Sequence, residues 1–491
     1  MSADKVFALP ALEAAAVKRK SIVGAVSYFS RTILSYGIAI ISALILSALL
    51  RPEDFGVFGL VNQIIALLVF FSDIGLAATL IQKKESPTDE EYKTAFTLQQ
   101  ILSWLIFLLT ISLAWSGIVA QKTGPVGNYI LISLGLSFPL ASIKTIPSLI
   151  LERKLEFSKL IIPQLVEQLF YNVTLVTAAL LGYGAFSFVP AILMRSFSGV
   201  IAMMFIQRWQ LKIGIARSAL RSLLGYGVKF QLNDFLARIK DQLFYLALGY
   251  YLPLAQFGYI NWAKNWSSYP YNLTVQNVMS LSFPIFSRLQ HDKNLLKRAI
   301  EKAIFFISLV IFPLLAGMSV FVYPLLAVFP VYAKWEPAAF SLIFFTLSIV
   351  GGAISTPLTN TLNAIGHIST TLKLMGFWTV LTWILTPVLI YLYGYNGVAL
   401  AAFIISLTSF LPILFVKKIV EVQIVEQIWR QAVASVCLAG VGFFGLEYWS
   451  QGLVKLLLGM ALSGFIYVVV MMVLGKNKVV LEFASLRNAR K

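Results

Sequence analysis

The sequence predicts an all-α polytopic membrane protein with about fourteen transmembrane helices, arranged as two parallel six-helix lobes plus two extra C-terminal helices. Three observations predict it. Hydrophobic stretches long enough to cross a bilayer, roughly twenty residues at 1.5 Å rise, recur along nearly the whole chain. The loops between them are alternately rich in and nearly devoid of Lys and Arg. Two turn motifs occur twice, at matching places in the order of the spans.

The composition sets the class. Of 491 residues, 59% are hydrophobic and 12% charged, whereas a soluble domain carries about 25% charge. The spans are 22–49, 56–80, 94–116, 127–150, 161–181, 185–206, 223–250, 257–283, 300–328, 338–362, 373–393, 397–416, 430–449 and 453–474. The first follows Lys18-Arg19-Lys20, but its apolar core far exceeds the roughly 7–15 residues of a signal peptide, so it stays as a membrane helix. The connections leave no room for an extramembrane catalytic or nucleotide-binding domain, and no Gly-rich loop precedes a Lys-Ser/Thr pair, which argues against direct ATP hydrolysis.

The net charge of +18 is topological. Basic residues crowd alternate connections beginning with the N-terminus, and the opposite set holds only Arg51, Lys122 and Lys334. The positive-inside rule then puts both termini in the cytoplasm, the cytoplasmic (inner) membrane is the expected location, and because topology accounts for the basicity no nucleic-acid partner is expected. Cys437 is the single cysteine and lies in a span, so disulfides are excluded and metal clusters lack ligands. His291 and His367 are too few to make a metal site.

The duplication pairs Pro52-Glu53-Asp54-Phe55-Gly56, after the first span, with Pro253-Leu254-Ala255-Gln256-Phe257-Gly258, after the seventh. It pairs Gly182-Tyr183-Gly184, before the sixth span, with Gly394-Tyr395-Asn396-Gly397, before the twelfth. Because six is even, both halves enter the membrane in the same sense. The expected organisation is a cytoplasmic N-terminal segment 1–21, an N-lobe 22–206, a cytoplasmic linker 207–222, a C-lobe 223–416, two further helices 417–475 and a cytoplasmic tail 476–491.

Charges inside spans carry the functional signal, since each costs roughly 2.5–3.5 kcal/mol at a helix centre and normally faces a cavity or a partner. Among them are Arg31, Asp73, Lys144, Glu167, Arg195, Lys229, Asp234, Arg238, Lys240, Asp241 and Lys264, mostly basic. In the seventh span Asp234, Arg238 and Asp241 share a face at spacings that let the arginine bridge both carboxylates, either as a structural triad or as the wall of an aqueous lumen. In the eighth, Asn261, Asn265, Ser268, Asn272 and Gln276 form a polar stripe beside Tyr259, Trp262, Trp266 and Tyr269. Amides and rings suit the hydroxyls and C–H faces of a carbohydrate; an interfacial aromatic belt and interhelical amide contacts are the structural alternative. Prolines at 139, 147, 190, 270, 313, 357 and 387 permit bending within spans.

The run Leu50-Arg51-Pro52-Glu53-Asp54-Phe55-Gly56, then Phe71-Ser72-Asp73-Ile74-Gly75-Leu76, the segment 149–157 (LILERKLEF) and Gly182-Tyr183-Gly184 resemble the polysaccharide transporter branch of the multidrug/oligosaccharidyl-lipid/polysaccharide exporter superfamily. Arg238 to Tyr259, with Phe283-Pro284, extends the likeness into the second lobe, and the colanic-acid and teichuronic-acid exporters of Wzx type are the most similar group. That resemblance implies a V-shaped bundle with a hydrated cationic cavity and an undecaprenyl-pyrophosphate-linked oligosaccharide as cargo. Helices one, two, seven and eight line the cavity in the family, which carries the role to Arg31, Asp73, Arg238, Asp241 and Lys264. Arg31, Lys144 and Lys264 would hold the anionic groups, and Asn261, Asn265, Trp262 and Trp266 the sugars.

The expected function is therefore a flippase moving lipid-linked repeat units by alternating access, not an enzyme and without a cofactor, with H⁺ or Na⁺ open as coupling ion. Its partners would be the lipid-linked glycan, membrane lipids, and a polysaccharide polymerase with its export machinery. A cation-coupled multidrug antiporter of the same superfamily is the alternative, opposed by the basic excess within spans. A membrane polymerase or ligase would need a larger outer loop than any the sequence offers.

Overall fold

Apolar segments of this length satisfy their backbone groups within a bilayer only as helices, and helices make up the whole secondary structure among the described residues. The computed structural model describes residues 32, 34–72, 76, 79–80, 87–154, 156–220 and 242–488. The helices are α1 (Leu34–Leu49), α2 (Pro52–Ser72), α3 (Asp89–Trp115), α4 (Ile118–Arg153), α5 (Phe157–Leu180), α6 (Phe188–Ile206) and α7 (242–251). There follow α8 (Leu254–Tyr271), α9 (Asn277–Arg288), α10 (Lys293–Val328), α11 (Glu336–Ala364) and α12 (Ile368–Tyr393). The chain ends in α13 (Gly397–Ser406), α14 (Phe410–Lys417), α15 (Ile424–Phe444) and α16 (Leu453–Asn488).

Among the described residues, eight helical stretches are long and apolar enough to span a membrane, and one of them, Ile368–Lys417, covers the eleventh and twelfth predicted spans together. The protein is a multi-pass membrane protein. Neither α5 nor α8 is among the eight, because Gln164, Glu167, Gln168 and Asn172 interrupt the first and the amide stripe interrupts the second.

Boundaries shift where the backbone allows it. The fourth span begins earlier, at Ile118, and Gly124 breaks it with φ 68° and ψ −179°, a conformation open to glycine. The last helix runs on to Asn488, through most of the segment expected as a tail. In the eighth span Pro270 is followed by a π-turn, Asn272–Gln276. The Thr274 hydroxyl donates to the Pro270 carbonyl at 2.6 Å, and the buried Asn277 amide donates to the Leu273 carbonyl at 3.0 Å. These side chains take up carbonyls that the wider turn leaves exposed.

The chain divides into two compact units, Met1–Ala255 and Gln256–Lys491. The expected linker 207–222 stays with the first because it is fastened to the start of α3. Gly214 N–H donates to Thr97 Oγ1 at 2.9 Å, Ala216 N–H to Thr94 Oγ1 at 3.0 Å, and Lys212 pairs with Asp89 at 3.0 Å.

Each half of the duplication joins its two motifs in its own way. In the first, the Asp54 carboxylate accepts from Arg51 N–H at 2.8 Å, capping α2, and from Ala185 N–H at 2.9 Å in the turn after Gly184. In the second, the Tyr259 ring lies 5.7 Å from Tyr395, whose hydroxyl donates to the Pro337 carbonyl at 2.7 Å. Ser341 meanwhile donates to Asn396 Oδ1 at 2.8 Å.

Candidate functional site

Each unit carries a polar face within its membrane helices. In the second unit it runs along α8 and the π-turn. Asn265 and Gln276 are exposed, and Lys264, Ser268 and Asn272 are half-buried. Asn261 is on the stripe but its amide is turned back, donating to the Phe257 carbonyl at 2.9 Å. Ser268 donates to the Lys264 carbonyl at 2.7 Å. Asn265, Ser268, Asn272 and Gln276 therefore present amide and hydroxyl groups over about three turns, on the order of 15 Å of helix.

The aromatic half of the expected sugar site is corrected. Trp262 is only 7% exposed and stacks on Trp335, with centroids 4.9 Å apart and planes 8° from parallel. Trp335 is fully buried in the turn between α10 and α11. Trp262 is a packing residue, and a sugar cannot reach its ring. Trp266 stays half-buried, edge-on to Trp262 at 6.2 Å and to Tyr269 at 5.4 Å. It remains accessible for stacking, so the accessible aromatic surface is Trp266 with Tyr269.

In the first unit the polar face lies on α5. At 100° per residue, Gln164, Glu167, Gln168 and Tyr171 fall on one side, opposite the exposed apolar side chains Ile162, Leu169, Val173 and Leu180. Lys144 of α4 forms an ion pair with Glu167, and Arg195 of α6 approaches the same carboxylate at 3.8 Å. The Arg195 guanidinium also lies 5.7 Å from the centre of the Tyr171 ring. Gly199, one turn after Arg195, makes room: a Cβ there would come within 2.1 Å of Glu167 Oε1.

All three charges sit about 15 Å along their helices from the ends at Arg153, Phe157 and Ile206, which connectivity brings to one end of the bundle, so they share one level along it. Lys144, expected as an anion-binding residue, is instead mostly buried and neutralised by Glu167, with side-chain exposures of 17% and 15%. Glu167 is not among the expected site residues, although its spacing with Gln164, Gln168 and Tyr171 is visible in the sequence.

Arg31, Asp73, Arg238 and Asp241 lie outside the described residues, as do Lys229, Asp234 and Lys240. Among the described residues, no group of three or more His, Cys, Asp or Glu could hold a metal ion.

Comparison with known proteins places these helices. The structure superposes on the lipid II flippase MurJ in its inward closed conformation with a TM-score of 0.71, covering 93% of this chain and 100% of that one at 16% identity. It superposes on an inward-facing multidrug resistance MATE family transporter of the MOP superfamily with a TM-score of 0.61, covering 80% and 98% at 14% identity. These likenesses establish the fold. In sequence, the succinoglycan biosynthesis transport protein ExoT of Rhizobium meliloti (strain 1021) is 20% identical over 286 residues, 58% of this chain and 57% of that protein, so the match takes in little more than half of the relative. The family model described as polysaccharide biosynthesis protein matches residues 45–339. This chain, a multi-pass membrane protein that shares its fold with these structures, belongs to the polysaccharide biosynthesis protein family.

Proposed function

We propose that the protein is a flippase that carries undecaprenyl-pyrophosphate-linked oligosaccharide repeat units across the cytoplasmic membrane by alternating access, for export of a surface polysaccharide. The observation that carries this reading is the stripe Asn265, Ser268, Asn272 and Gln276, beside Trp266 and Tyr269, on a membrane helix of a chain in this family. Amides exposed at membrane depth are costly unless water or a polar ligand meets them, and a glycan supplies matching donors and acceptors. Lys264, half-buried on the same helix, and Arg31, Asp73, Arg238 and Asp241 complete the proposed substrate contacts. The succinoglycan transport protein supports the cargo class by its name.

In this reading the lobes drawn from the repeat, 22–206 and 223–416 joined by 207–222, are the moving bodies, both termini are cytoplasmic, and a polymerase receives the product. An antiporter for cationic drugs is less well supported. Glu167, a mid-span carboxylate of the kind a cation would need, is already engaged by Lys144.

The test is chemical analysis of lipid-linked intermediates in a deletion strain. Undecaprenyl-pyrophosphate repeat units should accumulate on the cytoplasmic side, and the wild-type gene should clear them. Normal glycan export by the deletion strain would overturn the reading.

A further inference from the structure

We propose that Arg195 is an anion-binding residue of the first unit, one that takes an oxyanion group, phosphate or carboxylate, of the transported molecule. The inference rests on the flippase reading and deepens it by assigning the charged end of the cargo to a particular residue.

The charges in this cluster do not cancel. Lys144 and Glu167 neutralise one another in a mostly buried pair, and Arg195 is the second cation on the same carboxylate. Its nearest approach is through Nε at 3.8 Å, beyond hydrogen-bond distance. None of its N–H groups has a hydrogen-bond acceptor among the described residues, and its side chain is 55% exposed. A guanidinium at mid-membrane depth with unmet donors is costly unless it faces water or an anion. Arg195 does not project among the lipid-facing side chains of its own helix. Met194, Phe197, Ile201 and Phe205 form the exposed apolar arc of α6, and Arg195 stands at its edge, toward Gly199 and the polar face of α5.

The neighbours supply what an anion site needs. Glu167 and the Tyr171 ring steady the guanidinium from one side without using its paired donors. Gln168 offers an amide on the adjacent face of α5. The guanidinium fork binds phosphate or carboxylate bidentately, which an ammonium cannot do.

Isothermal titration of the purified full-length protein in nanodiscs, with inorganic pyrophosphate and with glucuronate, tests the inference and separates the two oxyanion sources. The wild type should bind at least one probe, and Arg195→Gln should weaken that probe by about tenfold or more, as loss of a charge-assisted bond does. Arg195→Lys should retain part of the affinity. Equal binding by wild type and Arg195→Gln, or no binding of either probe by the wild type, overturns the proposal. If the variants do not fold, phenylglyoxal modification of wild-type Arg195, read by peptide mass spectrometry, decides instead. Protection by the probe supports the site, and an unchanged rate rejects it. Complementation of the deletion strain is read separately: a protein that binds pyrophosphate through Arg195 yet clears no lipid-linked glycan would sink the flippase reading and leave the anion site standing.

Discussion

The two units spend polar chemistry differently. The first closes its duplicated motifs with a carboxylate, Asp54, on two backbone N–H groups, and its membrane face is ionic: Lys144, Glu167 and Arg195. The second closes the corresponding motifs with rings, Tyr259 against Tyr395, and its membrane face is mostly uncharged, built of amides, hydroxyls and indoles beside Lys264. The matching turns meet in both halves, because the helices at those turns have to pack. The atoms that join them differ.

The largest effects should come from residues whose polarity or size is spent on packing. Trp262→Ala removes an indole stacked on the buried Trp335 and should cost about 3–5 kcal/mol, seen as lower melting temperature and protein level, whereas Trp266→Ala should fold normally and lose glycan export. Equal stability of the two variants would erase the distinction between the packing and accessible indoles.

Lys144→Ala leaves Glu167 buried beside a weakly engaged Arg195, and breaking such a pair typically costs about 3–5 kcal/mol. Combining it with Glu167→Ala should recover part of the loss, and the non-additivity in a thermal-shift double-mutant cycle measures the coupling. If Lys144→Ala is instead fully stable and exports nothing, Lys144 contacts cargo after all.

Smaller effects sharpen the contrast at the turns. Asp54→Ala withdraws an acceptor from two N–H groups and should cost about 1–2 kcal/mol. Tyr395→Phe keeps the ring contact with Tyr259 and loses one hydrogen bond to the Pro337 carbonyl, so about 0.5–1 kcal/mol is expected. Thermal melts of both variants check the order, which a reversed ranking would contradict.

What could be read from the sequence was whatever is local or periodic. Apolar runs marked the helices, the recurrence of Phe-Gly and Gly-Tyr turns marked the duplication, and four-residue spacing marked the amide stripe of α8. Contacts between distant segments were not legible. Trp335, in a turn far along the chain, decides that Trp262 is core, and nothing in the spacing of α8 announces it. Lys144 looked like a lone cation because its partner is on the next helix. The α5 stripe was legible but lost among charges, since three of its four members are uncharged. Helix ends moved where Gly124 or Pro270 gave the backbone an option that hydropathy does not register.

The π-turn at Asn272–Gln276 means that the eighth span holds one residue more than a regular helix of the same reach. Deleting a residue such as Leu273 would let the turn relax to ordinary α geometry, with Met279 and Phe286 returning to the same buried side. The same deletion near Asn265 would swing everything beyond it by about 100° and put those side chains on the wrong face. Length tolerance in this helix is thus concentrated in a single turn, and natural variation in its length should collect there.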